Sequence, residues 1–288
     1  MNHARSGLLP GLYVVATPIG NLGDITLRAL EVLKQVDCVA AEDTRVSLHL
    51  LAHFGLRKEV ISVREHNEQR GAEQIIGRIR AGQAVAYVSD AGTPAVSDPG
   101  ARLVATMNRE HVLVVPLPGP NAAVAALSVS GQMLAQWLFY GFLPPKEDAR
   151  SKALASLKSL PYGLVFYESP HRIVATVTDM SAALGPHRTL TVARELSKLF
   201  EQIHSLPLGE AVTWFAEDAN RQRGEFVLIV SGAPPEPTPD ETEYKRVLDL
   251  LLAELPVSRA AGLAAKLTGA KKKVLYELAL RMNEVRQK

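Results

Sequence analysis

The feature that most constrains the fold is an alternation of short apolar runs with longer segments of helical spacing in the N-terminal part of the chain. The apolar runs are nearly continuous, as in strands buried on both faces of a sheet, and they span residues 12–16, 38–41, 85–88 and 112–116. Segments with helical spacing lie between them, at residues 25–36, 46–54 and 71–81. Strands that alternate with helices predict βαβ units and therefore a mainly parallel sheet.

A second α/β set follows the first. Its predicted strands span residues 163–167, 189–193, 201–205 and 226–231, and its predicted helices span residues 122–130, 149–160, 172–184 and 208–217. Pro116, Pro118 and Pro120 lie between the two sets and cannot continue a strand or a helix. We therefore predict two α/β domains, at residues 1–118 and 119–233, with a hinge at these prolines.

The C-terminal part differs from the rest in composition. Four prolines between positions 234 and 239 predict an extended linker over residues 234–242. Helical spacing at 244–255, 258–268 and 271–283 then predicts a small helical module over residues 243–288. From residue 257 onward, eight Lys or Arg stand against two Glu, a balance of +6 in a chain whose net charge is +2. A basic module indicates a polyanionic partner, although a solvated helix face explains the charge equally well.

Composition excludes several classes of protein. With 47% apolar and 22% charged residues, the chain is predicted to fold throughout. It contains no apolar run of the roughly 18 to 20 residues that a membrane helix needs and no pattern of a secretory signal, so we expect a cytoplasmic protein without a membrane partner. Cys38 is the only cysteine, which excludes an internal disulfide. His49 and His53 share a predicted helix face, but they lack the intervening glutamate of a zinc protease helix, and no metal is expected.

Glycine, proline and carboxylate residues follow each of the first four predicted strands. These segments span residues 17–21, 42–45, 89–94 and 118–121. In open parallel sheets, ligands bind beyond the carboxyl ends of the strands, so the four segments predict one binding rim. Gly92 and Gly119 would let the backbone approach a ligand closely, and Asp90 could accept hydrogen bonds from ribose hydroxyls. The alternative is that these are ordinary turn residues. Neither the dinucleotide nor the P-loop glycine motif is present, which argues against a loop that holds a pyrophosphate.

The same segments carry a family resemblance. Residues 12–26 (LYVVATPIGNLGDIT), 40–45 (AAEDTR), 88–94 (VSDAGTP), 97–100 (SDPG) and 118–120 (PGP) resemble the signatures of the ribosomal RNA cytidine-2′-O-methyltransferases, a branch of the tetrapyrrole-methylase superfamily. The resemblance extends over essentially the whole chain, including residues 166–172 and 193–196, Lys198, Gly224, Glu225 and the basic C-terminal segment. Several long motifs in family order make it specific.

The resemblance implies an S-adenosylmethionine-dependent enzyme that binds its cofactor in a cleft between two α/β domains. It further implies a homodimer and, as substrate, a cytidine ribose in the decoding centre of 16S ribosomal RNA within the small ribosomal subunit. The implied cofactor-binding residues are Pro18, Asp90, Gly92, Thr93, Pro94, Val96, Pro120, Asn121, Ala122, Tyr167, Arg194 and Glu225. Asn121 departs from the small residue or cysteine that is usual at this position in the family.

The proton acceptor of such a reaction cannot be assigned from the sequence. A ribose hydroxyl is a poor nucleophile while protonated, so a base or a water path is useful. The candidates are Glu42, Asp43, His66, Glu68, Glu168 and Glu195. Asp43 or Thr44 is better explained as a helix N-cap. For the polar loop at residues 64–68, a role in substrate binding and the absence of such a role are equally good interpretations. The candidate RNA-binding residues are Arg45, Lys271, Lys272 and Lys273.

Two further questions stay open at this point. The aromatic cluster Trp137, Phe139, Tyr140 and Phe142 fits a domain core better than base stacking, although nearby Lys and Arg would suit either. The alternatives to an RNA methyltransferase are a methyltransferase acting on a small tetrapyrrole and a non-catalytic RNA-binding protein with a vestigial cofactor cleft.

Overall fold

The computed structural model describes residues 7–63, 68–234 and 241–286, with side chains as far as residue 283. The chain divides into two compact units, residues 1–233 and 234–288. The predicted linker at 234–242 falls largely on residues 235–240, which lie outside the described residues.

The first sheet is parallel throughout and has the strand order β3-β2-β4-β1-β5. Its strands are β1 Gly11–Val15, β2 Cys38–Ala41, β3 Glu59–Ser62, β4 Ala84–Val88 and β5 Val114–Leu117. Its helices are α1 Leu27–Gln35, α2 Thr44–His53, α3 Glu68–Arg80 and α4 Ala101–Arg109. The predicted parallel sheet is confirmed, but the sequence prediction lacked β3 and α4.

Both faces of this sheet are buried, which explains the continuous apolar runs. Alternate residues of each strand point to opposite faces. On one face Val15, Val39 and Val88 pack with α1. On the other face Leu12, Ala40 and Tyr87 pack with α3 and α4. The missed strand, β3, is an edge strand with only Ile61 buried, so its sequence is too polar to resemble the central strands.

The second sheet has the order β6-β7-β10-β8-β9 and is mainly antiparallel. Its strands are β6 Trp137–Phe142, β7 Gly163–Glu168, β8 Thr189–Arg194, β9 Gln202–Pro207 and β10 Phe226–Val230. Only β6 and β7 are parallel to each other. Its helices are α5 Ala122–Val129, α6 Glu147–Leu157, α7 Ile173–Leu184 and α8 Ala211–Glu217. The predicted domain boundary at 118/119 lies between β5 and α5. The expectation that Pro116 cannot continue a strand was wrong, because Pro116 lies within β5, an edge strand that tolerates a proline.

The aromatic cluster forms strand β6, which the sequence prediction lacked. Tyr140 packs on the core around Phe166, and Phe139 packs on the opposite face beside Tyr167. Trp137 and Phe142 are about half exposed, because β6 is an edge strand. The cluster is therefore core at its centre and solvent-facing at its two ends.

The C-terminal unit consists of three helices, α9 Glu241–Leu252, α10 Val257–Thr268 and α11 Lys272–Arg286. They enclose a small core that includes Leu248, Ala261, Ala264 and Leu275. The turn between α10 and α11 begins at Gly269, whose φ of 72° is the left-handed conformation typical of a helix C-terminus. Among the described helices, none has both the length and the apolar character of a membrane-spanning segment.

Candidate active site

The carboxyl ends of β1 and β4 are joined directly beyond the first sheet. Thr17 and Gly92 exchange two backbone hydrogen bonds, of 2.9 and 3.0 Å, and the Thr17 hydroxyl donates to the carbonyl of Ser89 at 3.1 Å. Gly92 is buried with a φ of 75°, which a side chain would strain. The predicted rim is thus a connected structure and not two separate turns.

The segment after β5 completes this rim. Thr93 donates from its hydroxyl to the carbonyl of Pro120 at 2.9 Å. Asn121 caps α5 by accepting a hydrogen bond from the amide of Val124 at 3.1 Å. The next amide, that of Ala123, donates to the hydroxyl of Tyr167 on β7 at 3.2 Å. The N-terminus of α5 therefore links the first sheet to the second.

A cavity of about 260 Å³ lies between the two sheets at this rim. The first α/β part contributes Ile19, Ala91, Gly92, Thr93, Val96 and Asp98 to its lining. The N-terminus of α5 and the second sheet contribute Asn121, Ala122, Phe142, Tyr167, Glu168, Ser169, Pro170, Ala193, Leu196, Lys198, Glu225, Phe226 and Val227. The lining is largely apolar, with a few charged groups at its edges, as in most small-molecule sites.

Seven of the predicted cofactor-binding residues line this cavity. They are Gly92, Thr93, Val96, Asn121, Ala122, Tyr167 and Glu225. The other five, Pro18, Asp90, Pro94, Pro120 and Arg194, do not belong to its lining. Asp90 lies just outside, where its carboxylate accepts a hydrogen bond from the amide of Asp43 at 3.1 Å. Arg194 is buried and donates to the carbonyls of Arg223 and Phe200, so it holds the loops around β8.

Two of the proton-acceptor candidates cap helices. Asp43 accepts a hydrogen bond from the amide of Arg45 at 2.9 Å and is the N-cap of α2. Glu68 is buried, and its carboxylate accepts a hydrogen bond from the amide of Leu103 in the first turn of α4 at 2.8 Å. Helix α4 gains no side-chain cap from its own N-cap residue, Gly100, so Glu68 supplies it from outside. His66 lies outside the described residues.

Two other candidates, Glu168 and Glu195, are held by hydrogen bonds. Glu168 lines the cavity, but its buried carboxylate accepts from the amide of Ser169 at 2.7 Å and the hydroxyl of Thr176 at 2.6 Å. Glu195 accepts from the ammonium group of Lys198 at 2.8 Å and the amide of Glu225 at 2.9 Å. Burial alone would raise the pKa of Glu195, but these donors hold it below its usual value. Glu42, the remaining candidate, is half-buried and does not belong to the cavity lining.

Comparison with known proteins identifies the family. The family model for Tetrapyrrole (Corrin/Porphyrin) Methylases matches residues 11–212, and that of the RsmI C-terminal HTH domain matches residues 238–283. The protein named Ribosomal RNA small subunit methyltransferase I of Escherichia coli O157:H7 is 48% identical over 269 residues, which is 93% of this chain and 94% of that protein. Its namesake from Pseudomonas aeruginosa is 49% identical over 93% of this chain and 96% of its own. The chain belongs to the ribosomal RNA small subunit methyltransferase I family.

Solved structures share the fold. A cobalt precorrin-4 methyltransferase aligns with a TM-score of 0.57 and 19% identity, over 77% of this chain and 95% of its own. A uroporphyrin-III C-methyltransferase from Thermus thermophilus, complexed with S-adenyl homocysteine, aligns with a TM-score of 0.55 and 21% identity, over 77% of this chain and 97% of its own. The predicted tetrapyrrole-methylase fold, with two sheets that pack against helices and a C-terminal helical domain, is confirmed.

The residues predicted to bind RNA lie in both units of this family member. Arg45 is among the more exposed side chains at 85%, and its guanidinium pairs with Asp43 at 2.6 Å. Lys271, Lys272 and Lys273 are all exposed at the start of α11. That these four residues bind RNA stays a prediction.

Two charged residues of the lining, Asp98 and Lys198, were missing from the predicted site residues. Asp98 was part of the SDPG motif, but no role followed from spacing alone. Lys198 contacts Glu195 and Glu225 at 2.8 Å each, and its stem packs against Gly20 of the first α/β part. Asp98 could have been predicted by the same rule as Asp90, namely that ligands bind beyond the carboxyl ends of parallel strands. Lys198 follows the end of β8, a strand of the second sheet, where that rule was not applied.

Proposed function

We propose that this protein transfers a methyl group from S-adenosylmethionine to the ribose 2′-oxygen of a cytidine in the decoding centre of 16S ribosomal RNA. Family membership supports a methyltransferase that acts on small-subunit ribosomal RNA. The observation that carries the proposal is the cavity between the two sheets, which contains seven residues expected at the cofactor site. The choice of a cytidine ribose rests on the motifs at residues 12–26, 40–45 and 88–94.

The chemistry of the cavity fits this cofactor. S-adenosylmethionine supplies an electrophilic sulfonium methyl group, and at neutral pH it carries two positive groups and one carboxylate. The lining contains the carboxylates of Asp98, Glu168 and Glu225 and the single ammonium group of Lys198, so its charge is complementary to a cationic ligand. Apolar side chains such as Ile19, Val96 and Leu196 suit the adenosine ring system.

Positioning of the acceptor is the main task of the protein residues. Displacement at a methyl carbon requires the acceptor oxygen about 3 Å away and in line with the leaving sulfur. The Thr17–Gly92 and Ala123–Tyr167 hydrogen bonds fix both walls of the cavity, so the ligand does not have to order them. The apolar side chains of both walls also reduce the access of water to the reacting atoms.

A folded RNA exposes many equivalent ribose hydroxyls, so selection of one requires that local shape be read. We propose that the C-terminal three-helix unit, which matches the HTH family model, adds affinity for RNA through Lys271, Lys272 and Lys273. We also propose that Arg45 contacts RNA beside the cavity. The expected partner is the assembled small ribosomal subunit, and the expected compartment is the cytoplasm.

We also propose a homodimer, and an apolar patch supports it. Leu199 and Phe200 are 90% and 66% exposed just before β9, and Ile203 on that strand is also exposed. Strand β9 is an edge strand of the second sheet. Exposed apolar residues along a free sheet edge are typical of an interface.

Calorimetric titration with S-adenosylmethionine tests the enzyme assignment. We expect one binding site per chain and a clearly lower affinity in Tyr167→Phe, which removes the hydroxyl that accepts a hydrogen bond from the amide of Ala123. Absence of binding in the wild-type protein would favour a vestigial cleft. The alternative of a tetrapyrrole substrate rests on the name of the matching family model and on solved structures of about 20% identity, which carry the fold alone. The relatives of 48% and 49% identity are instead named for ribosomal RNA.

A further inference from the structure

The carboxylates that line the cavity differ in how many hydrogen-bond donors surround them. The carboxylate of Glu168 accepts from Ser169 and Thr176 and pairs with Arg172 at 3.2 Å. That of Glu225 pairs with the ammonium group of Lys198 at 2.8 Å. Both groups are thus already held by the protein, and neither is free to accept a proton from a substrate without losing a partner.

Asp98 is different. It lines the same cavity and is half-buried, and in the described parts of the chain no group donates a hydrogen bond to its carboxylate or forms an ion pair with it. The hydroxyl of Tyr87 donates to the carbonyl of Pro99 at 2.9 Å, and that of Tyr167 accepts a hydrogen bond from the amide of Ala123; neither forms a hydrogen bond with Asp98. Asp98 therefore borders the cavity, and its carboxylate has no hydrogen-bond donor among the described residues.

The backbone around Asp98 holds it in this position at a conformational cost. Ala95 and Ser97 have φ values of 66° and 63°, which non-glycine residues adopt rarely. The amide of Ala95 donates to the carbonyl of Pro99 at 3.3 Å and closes the loop around Asp98. Gly100 packs so closely on the ring of Tyr87 that a β-carbon there would lie 2.6 Å from a ring carbon. Such strain is found where a side chain must be held for a function.

The described groups that shift the pKa of Asp98 oppose its ionisation. Burial, followed by the carboxylates of Glu42 on the β2–α2 turn and Asp90 after β4, raises the pKa of Asp98 to about 6. The phenols of Tyr87 and Tyr167 also face it, and the pKa of each is raised, mainly by burial. The carboxyl group is thus ionised at neutral pH but holds a proton far more readily than an ordinary aspartate.

We propose that the carboxylate of Asp98 accepts the proton of the acceptor hydroxyl during methyl transfer. This inference rests on the proposed function. As the acceptor oxygen bonds to the methyl carbon, its proton passes to Asp98 and the sulfur keeps the electron pair of the broken bond. The products are a methyl ether, a neutral thioether and a protonated Asp98, which then releases its proton to water.

Asp98→Asn is the most direct variant, because it keeps the shape of the side chain and removes its basicity. We expect cofactor affinity to fall by less than about tenfold, because Glu168 and Glu225 remain in the lining, together with a single-turnover methylation rate that falls by roughly 10² to 10⁴-fold. The wild-type rate should fall about tenfold per pH unit below pH 6, and the residual rate of the variant should lack this dependence. Glu110→Gln, an exposed carboxylate paired with Arg80, is the matched control and should change none of these values.

A second measurement does not depend on activity. In wild-type protein with ¹³C-labelled aspartate, one carboxyl signal should titrate near pH 6 and be absent from Asp98→Asn. A titration midpoint below about 4.5 would contradict the inference. So would a variant rate within about tenfold of wild type, or loss of cofactor binding in the variant, which would make Asp98 a cofactor-binding residue. A wild-type protein that binds no cofactor would instead contradict the proposed function.

Discussion

Gly119 lies so close to Ala16 that a β-carbon at position 119 would be 2.8 Å from the β-carbon of Ala16. This approach brings the segment after β5 against the end of β1, where Thr93 fixes it by its hydrogen bond to Pro120. The close approach of two rim segments is what permits α5 to begin beside the cavity. Glycine is required here for space and not for its backbone conformation.

Gly119→Ala should therefore destabilise the protein and weaken cofactor binding together. Overpacking of this kind costs about 1–3 kcal/mol, because the rim must shift to accommodate one methyl group. Thermal unfolding and calorimetry measure the two effects. Gly77→Ala in α3 is the matched control, since a β-carbon there meets nothing within 4 Å, and it should be neutral or stabilising.

Glu68→Ala should lower stability without changing the chemistry. The substitution removes the acceptor of the Leu103 amide at the start of α4, which costs about 1–3 kcal/mol. Folded molecules of the variant should bind the cofactor with unchanged affinity and methylate at a similar rate below the unfolding temperature. A large loss of rate at unchanged stability would return Glu68 to the candidates for proton acceptor.

Asp98→Asn should increase stability at alkaline pH. A carboxyl group whose folded pKa lies near 6 and whose unfolded pKa lies near 3.8 binds protons more tightly in the folded state. The folded state is therefore increasingly penalised as pH rises from about 4 to 6, and the penalty stays above that range. Because Asp98 is partly exposed, we expect a gain of only about 1 kcal/mol at pH 8, and none below pH 4. Urea unfolding at the two pH values measures it; equal effects at both would contradict the raised pKa.

Phe200→Asp should convert the proposed dimer into a monomer, because a buried charge at an interface cannot be compensated. Light scattering at micromolar concentration gives the mass of each form. Leu48→Lys on α2 is the control, since Leu48 is exposed but lies on a helix of the first sheet, away from β9. A wild-type monomer would contradict the dimer directly.

Replacement of Lys271, Lys272 and Lys273 by Gln should weaken RNA binding and leave cofactor binding intact. Each phosphate contact contributes roughly 0.7 to 0.9 units to the slope of log affinity against log salt concentration. Loss of three contacts should reduce this slope by about two to three units. Lys245→Gln on α9 serves as control, because this lysine pairs with Glu241. An unchanged slope would show that the three lysines do not touch RNA.

The central strands and the binding rim could be predicted because local sequence specifies them. All five residues of β4 are buried, so its sequence is a continuous apolar run. The turns that follow such strands carry glycine and proline for steric reasons. Strands β3 and β6 were missed because one is polar and the other is aromatic and interrupted by Gly141. Their strand identity depends on the neighbours with which they pair.

The roles of charged residues were predictable only in part. Position along the chain placed Glu68 and Glu195 near the rim, but only the fold shows that one caps α4 and the other holds Lys198. That no described group donates to Asp98 is likewise a property of contacts between distant segments. A sequence indicates which side chains are available, whereas their partners determine which of them can react.

The central claim is the identity of the methylated atom. Small ribosomal subunits that lack the modification should be incubated with the protein and isotopically labelled S-adenosylmethionine, and the RNA digested to nucleosides for mass spectrometry. We predict label in 2′-O-methylcytidine at a single site, more in assembled subunits than in naked RNA. Label on a base, or preferential labelling of a tetrapyrrole offered in the same reaction, would contradict the account.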